Sequence, residues 1–234
     1  MIFNPIVAVL TKTYSPKILV AIGSAIAVSA PLLSTQVHTF QMFLVSFAMV
    51  LSVGVSFCYF PPLVAGWQWL PERKGLVTGI ILGAFGLGSF IFSLISIAVV
   101  NPQNASPTVL APNGSMFFDA TVAARVPLLL YVLAGTWAIL AIPAVLLIRN
   151  KPNNNVAQTV TAITNEELTF GEGIKEHQLH LLLAMDMCSV FTFIYMASVY
   201  KTIGIQVGGL DDYTLTVIGS LGGLANGISR MVWG

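Results

Sequence analysis

Apolar residues run in blocks of about twenty along this chain, and polar residues gather between the blocks instead of alternating with them. Residues 18–37 hold no charged side chain and no histidine, and neither do residues 40–71. Further blocks cover 75–100, 126–148, 178–200 and 213–234. The fifth is interrupted by Asp186, and the sixth carries Arg230 near its end. A bilayer core of about 30 Å takes about 20 apolar residues of helix. The pattern therefore predicts an all-α membrane helix bundle with six full transmembrane helices, the second ending near Gly66. Residues 1–10 are apolar but too short to cross. They read as the tail of a helix whose beginning is absent, and they have neither the basic start nor the small-residue cleavage site of a signal peptide.

Composition strengthens this reading. Charged residues make up 8% of the chain and apolar ones 56%, and the mean hydropathy is +0.86. Soluble domains carry roughly 25% charged residues, so a soluble enzyme is excluded. The formal net charge of +1 comes without a basic run and points to no nucleic-acid partner. The partner expected from composition is the lipid bilayer. Cys58 and Cys188 both lie in apolar blocks and read as small buried side chains. No disulfide framework, metal-ligand cluster or cofactor loop is expected. The run GAFGLG at 83–88 has dinucleotide-loop spacing but follows no strand, so that reading is rejected. No nucleophile–base pair appears, and no enzyme activity is expected.

Lysine and arginine in short loops set orientation. Lys12 and Lys17 flank the first connection, and Arg73 and Lys74 form the next basic turn. Arg149, Lys151 and Lys175 border the stretch 150–177, while the loops at 36–39 and 101–124 have none. The alternation predicts the turns near 14, 73 and 160 in the cytoplasm and the others outside. The outer loop contains sequons at Asn104 and Asn113; Pro107 after the first makes it a poor acceptor. Residues 150–177, opening with PNNN at 152–155, read as a cytoplasmic linker. The expected organisation is a partial first half at 1–149, the linker at 150–177 and a partial second half at 178–234.

The strings YFPP at 59–62, WQWLPERKG at 67–75, TGIILGAFGLG at 78–88 and NGISRMVWG at 226–234 together resemble the major facilitator superfamily. The likeness is to the branch holding oxalate/formate antiporters and monocarboxylate transporters. The resemblance implies a partial major facilitator fold, from the end of span 2 to the end of span 8 of twelve. It implies secondary transport of a small organic anion, such as a monocarboxylate or dicarboxylate, by alternating access. Missing spans or a partner chain would then complete the cavity. One signature departs from the family: LTKTYSPK at 10–17 places Lys12 where an acid is usual and Ser15 where a glycine is usual. The rival reading is a degenerate or truncated membrane protein that acts through protein contacts.

Few residues carry candidate chemistry. Arg230 lies roughly 6–8 Å inside its helix end at 1.5 Å per residue. Its planar guanidinium suits a carboxylate, and the resemblance implies substrate binding there; snorkelling to headgroups or a place in the cytoplasmic gate is the alternative. Asn226, one turn earlier, shares its face and is read as a partner of substrate or Arg230, or equally as a helix-packing residue. Asp186 is expected to pair with Arg230, to couple a proton, or to face water. His177 and His180 read as solvated. Gly79, Gly83, Gly86 and Gly88 suit close helix packing and, by the resemblance, gating between halves. Trp67, Trp69, Trp137 and Tyr200 read as interface anchors or core.

Overall fold

The computed structural model describes residues 3–110, 116–149 and 175–233. The Asn113 sequon and most of the expected linker, Lys151 included, lie outside the described residues. The chain is a multi-pass integral membrane protein built almost wholly of helix. Helix α1 is Asn4–Leu10, α2 is Pro16–Ser34, and α3 runs over Phe40–Trp69. Lys74–Val100 forms α4, Val126–Leu147 α5, His177–Gln206 α6 and Asp212–Trp233 α7. Strands β1 (Val109–Leu110) and β2 (Met116–Phe117) pair antiparallel in the loop after α4.

Local chemistry explains the starts. Ser15 caps α2, its hydroxyl accepting from the Ile18 N–H at 3.4 Å, with Pro16 preset at the first helical position. Thr39 caps α3 in the same way through Met42. Helix α3 contains π-type turns over Leu44–Met49 and passes through Pro61 and Pro62 to Trp69, so it does not end near Gly66. The reason is environmental: in lipid an unpaired backbone group costs several kcal/mol, which favours continued helix even across proline. Helix α6 likewise runs six residues past Tyr200, to Gln206.

Five helical stretches are long and apolar enough to cross a membrane. The sixth expected span, α7, has the length at 22 residues but is diluted by four glycines and by Asp212, Asn226 and Arg230. Its small residues go into contact with a neighbouring helix. Helices α4 and α7 form the most extensive pair, and α2 packs on both α3 and α5. Where α2 crosses α3, a Cβ on Gly54 would lie 2.6 Å from the Ala27 backbone nitrogen. The Ser34 and Ser46 hydroxyls bond across the same pair at 2.9 Å. Small residues let backbones approach in this way, because helices gain no hydrophobic drive from each other in lipid. Helix α6 behaves differently. Residues 177–198 are all exposed, and its contact with α7 lies in its last turns, where Gly204 meets Leu215 and Tyr200 meets Gly219.

Candidate binding site

Helix α4 runs from the end carrying Arg73 and Lys74 to the end carrying Asn101, and α7 returns beside it. At the Asn101 end, α4, α5, α6 and α7 line an open-sided cavity of about 910 Å³. One wall is aromatic: Phe85 and Phe92 from α4, Trp137 from α5, Tyr200 from α6. Phe92 and Trp137 meet edge to face with centroids 6.1 Å apart. Ser89, Ser93 and Ser96 line the cavity from α4 at spacings that put them on one helix face.

Two charges sit at its polar end. Lys201 Nζ donates to Asp212 Oδ1 and to Thr216 Oγ1, both at 2.7 Å. Asp212 is 6% exposed, Lys201 38%. Asn101 Nδ2 donates to Asp212 Oδ2 at 3.2 Å. Asn101 is itself held by exchanging hydrogen bonds with the Ala105 backbone. Thr216 donates to the Asp212 carbonyl at 2.8 Å. Asp212 also stands in the first turn of α7, where a negative charge is favoured by the helix dipole. Every polar atom of this buried carboxylate is thus engaged, as burial requires.

Beside this pair, a clamp joins the loop after α4 to the turn before α7. Asn104 Nδ2 donates to Asp211 Oδ2 at 2.6 Å, and its Oδ1 accepts from the Tyr213 N–H at 3.0 Å. Asn104 has φ +51°, which asparagine tolerates better than most residues. Hydrogen bonds from Thr214 first and Asn104 second lower the Asp211 carboxyl from 3.8 to about 2. A depressed acid contributes its stability above its unfolded value and loses it as pH falls through the folded one. The clamp therefore weakens between pH 3.8 and about 2 and is constant near neutrality. Asn104→Gly keeps the backbone angle and removes the side chain. Losing a hydrogen bond of about 0.5–1.5 kcal/mol should speed amide exchange at Tyr213 about two- to tenfold. Wild-type protection, corrected for intrinsic rates, should be equal at about pH 6 and pH 8. Unchanged Tyr213 exchange in Asn104→Gly would remove the clamp.

Of the residues singled out from sequence, Gly88, Trp137 and Tyr200 line the cavity, and the others lie elsewhere. Arg230 is exposed near the Arg73 end of α7, its Nε donating to Asn226 Oδ1 at 2.7 Å. The expected Asp186–Arg230 ion pair is not formed: among the described residues, the ion pair is Lys201–Asp212. Asp186 belongs to the exposed stretch of α6, which leaves α7 before reaching Arg230's depth. Gly79, Gly83 and Gly86 are buried. A Cβ on Gly86 would strike the backbone of Gly227 and Gly223. One on Gly83 would lie 2.6 Å from the Met231 methyl and 2.9 Å from the Gly227 carbonyl. Gly88 has nothing within 4 Å and faces the cavity. Arg73 is exposed, and the Lys74 carbonyl accepts from Trp67 Nε1 at 3.2 Å. Sequence reasoning passed over Lys201, Asp212, Asn101 and Thr216. Lys201 and Asp212 stand at opposite ends of a short connection, which reads as an ordinary charged loop.

The chain is similar to apicoplast pyruvate carrier 1 of Toxoplasma gondii, with 22% identity over 98% of the chain and 49% of the carrier. An uncharacterised MFS-type transporter of Escherichia coli K12 is 23% identical over 71% of the chain and 36% of its own length. An MFS-type transporter of Aspergillus fumigatus is 29% identical over 43% of the chain and 23% of its own length. These relatives support the major facilitator superfamily. They do not single out the oxalate/formate branch expected from the sequence strings. The chain spans about half the length of the Toxoplasma carrier and less of the other two. No family model and no solved structure matches the chain significantly.

Proposed function

We propose that this chain belongs to a secondary transporter of small organic anions, with monocarboxylates as the leading substrate class. The observation that carries the reading is the similarity to a pyruvate carrier over 98% of the chain. Residues 1–149 would belong to one half of the transporter and 178–234 to the other. The tight α4–α7 contact would then be a seam between halves, with Gly83 and Gly86 allowing the rocking helices to stay close. The clamp at Asn104 and the basic turn at Arg73 and Lys74 lie at its two ends. Alternating access would open one end while the other stays closed.

Arg230 is proposed as the substrate-binding cation at the Arg73 end, held in register by Asn226. A charge-assisted contact is worth about 1.5–3 kcal/mol, so Arg230→Gln should weaken substrate affinity about ten- to hundredfold. Arg230→Lys keeps the charge but loses the planar fork, and should rescue partly. Because Asp186 stands apart from Arg230, adding Asp186→Asn should neither restore nor deepen the loss. Uptake of labelled pyruvate and other small carboxylates by proteoliposomes holding the full-length protein tests both statements. Wild-type affinity in Arg230→Gln would end that role; no uptake of any small carboxylate would end the transporter reading. The second reading, a membrane protein acting through contacts alone, is favoured by one observation: Lys12 stands, exposed, where the resembling family has an acid.

A further inference from the structure

We propose that the cavity beside Lys201 is a binding site for monocarboxylates with a bulky apolar body. This goes beyond the transport reading. It is a second anion site, and Asp212 and Arg230 stand roughly 27 Å apart along α7 at 1.5 Å per residue.

The charged end specifies an anion. An ammonium has three N–H donors. Lys201 gives one to Asp212 and one to Thr216, and the third has no partner among the described residues. Asp212 offers nothing comparable: both its oxygens already accept, and it is 6% exposed against 38% for Lys201. An incoming ligand therefore meets a cationic donor and not an acceptor. A carboxylate fits that donor; an amine does not. Asp212 retains Asn101 as a second donor, so it can share Lys201.

The remainder specifies the body. The cavity, at about 910 Å³, falls in the range of roughly 300–1,000 Å³ typical of pockets that bury drug-sized ligands. Acetate or a similarly short acid would leave Phe92 and Trp137 facing water. A ring on the ligand covers them and gains the edge-to-face contacts that aromatic groups favour.

The test is equilibrium binding of radiolabelled phenylacetate to the purified full-length protein in lipid nanodiscs. Saturable binding is expected. Unlabelled acetate should compete at least about tenfold more weakly, a difference of about 1.4 kcal/mol, and 2-phenylethylamine should not compete. Lys201→Met alone strands a buried carboxylate, so it is paired with Asp212→Asn to keep the fold. That double variant should lose about tenfold or more in affinity, while Lys201→Arg keeps binding. Ser93→Phe, which fills the cavity without touching the charges, should also lose it. Because Arg230 is itself read as holding a carboxylate, all binding is measured in an Arg230→Gln background; saturable phenylacetate binding there belongs to the Lys201 cavity whatever becomes of uptake, which separates failure of this site from failure of the transport reading. Equal competition by acetate, or wild-type binding in both the double variant and Ser93→Phe, would overturn the proposal.

Discussion

Gly86→Ala is expected to cost this protein much of its folded yield, whereas Gly88→Ala, two residues further along the same span, should leave it intact. A methyl group on Gly86 would meet the nitrogen and α-carbon of Gly227 and the carbonyl of Gly223. Backbone cannot rotate aside as a side chain can, so α4 and α7 would have to separate. Overpacking costs about 1–3 kcal/mol and occasionally more, against a total stability of about 5–15 kcal/mol. Gly86→Leu should be worse and leave little folded protein. Gly83→Ala should fall between the extremes, because its nearest neighbour is the flexible end of Met231. Gly88 has open space, and its substitution should stay within about 0.5 kcal/mol of wild type. Size-exclusion profiles and melting temperatures of the four variants in detergent rank them directly. If Gly86→Leu is as well folded as Gly88→Ala, α4 and α7 are not packed as described.

The second large effect concerns the ion pair, and it should be asymmetric. Lys201→Met leaves the Asp212 carboxylate, 6% exposed, with Asn101 as its remaining side-chain donor. Breaking a buried pair from one side costs about 3–5 kcal/mol because a charge is left stranded. Asp212→Asn leaves instead an ammonium that is 38% exposed. Water screens that charge, so the loss should be about 1 kcal/mol, in the range of exposed pairs. Combining the two changes strands neither charge and should recover most of the stability lost in Lys201→Met. Thermal melting of the three variants reads this out. Equal losses from the two single changes would mean that burial does not distinguish the partners.

Much of the fold was legible in the sequence for a plain reason. A bilayer demands apolar runs of helix-spanning length, and those runs are visible without knowing what packs on what. The starts and ends of α4, α5 and α7 fell within one residue of the expected blocks. The errors lie where helix continues past its composition. Gly66 in α3 and the polar residues after Tyr200 in α6 look like ends, but backbone in lipid favours continuing the helix. The glycines at 83 and 86 were readable as close-packing positions, although nothing in the sequence named Gly223 and Gly227 as their partners.

The candidate site was less legible. Arg230 and Asp186 stand out because a charge inside an apolar run is conspicuous, and their similar depth invited a pairing. Pairing depends on how two helices splay, and α6 is exposed from 177 to 198. Lys201 and Asp212 looked like ordinary loop charges, since each lies at the edge of its span. By itself the sequence determined the class of molecule, the number and approximate extent of its long helices, and that Asp186 and Arg230 lie inside two of them. Those properties follow from local composition and the thickness of a bilayer. Only the tertiary structure decided which charges meet, which glycines touch backbone, and where the cavity opens. Those depend on the angles at which helices cross, and crossing angles are set by many small contacts between residues far apart in the chain.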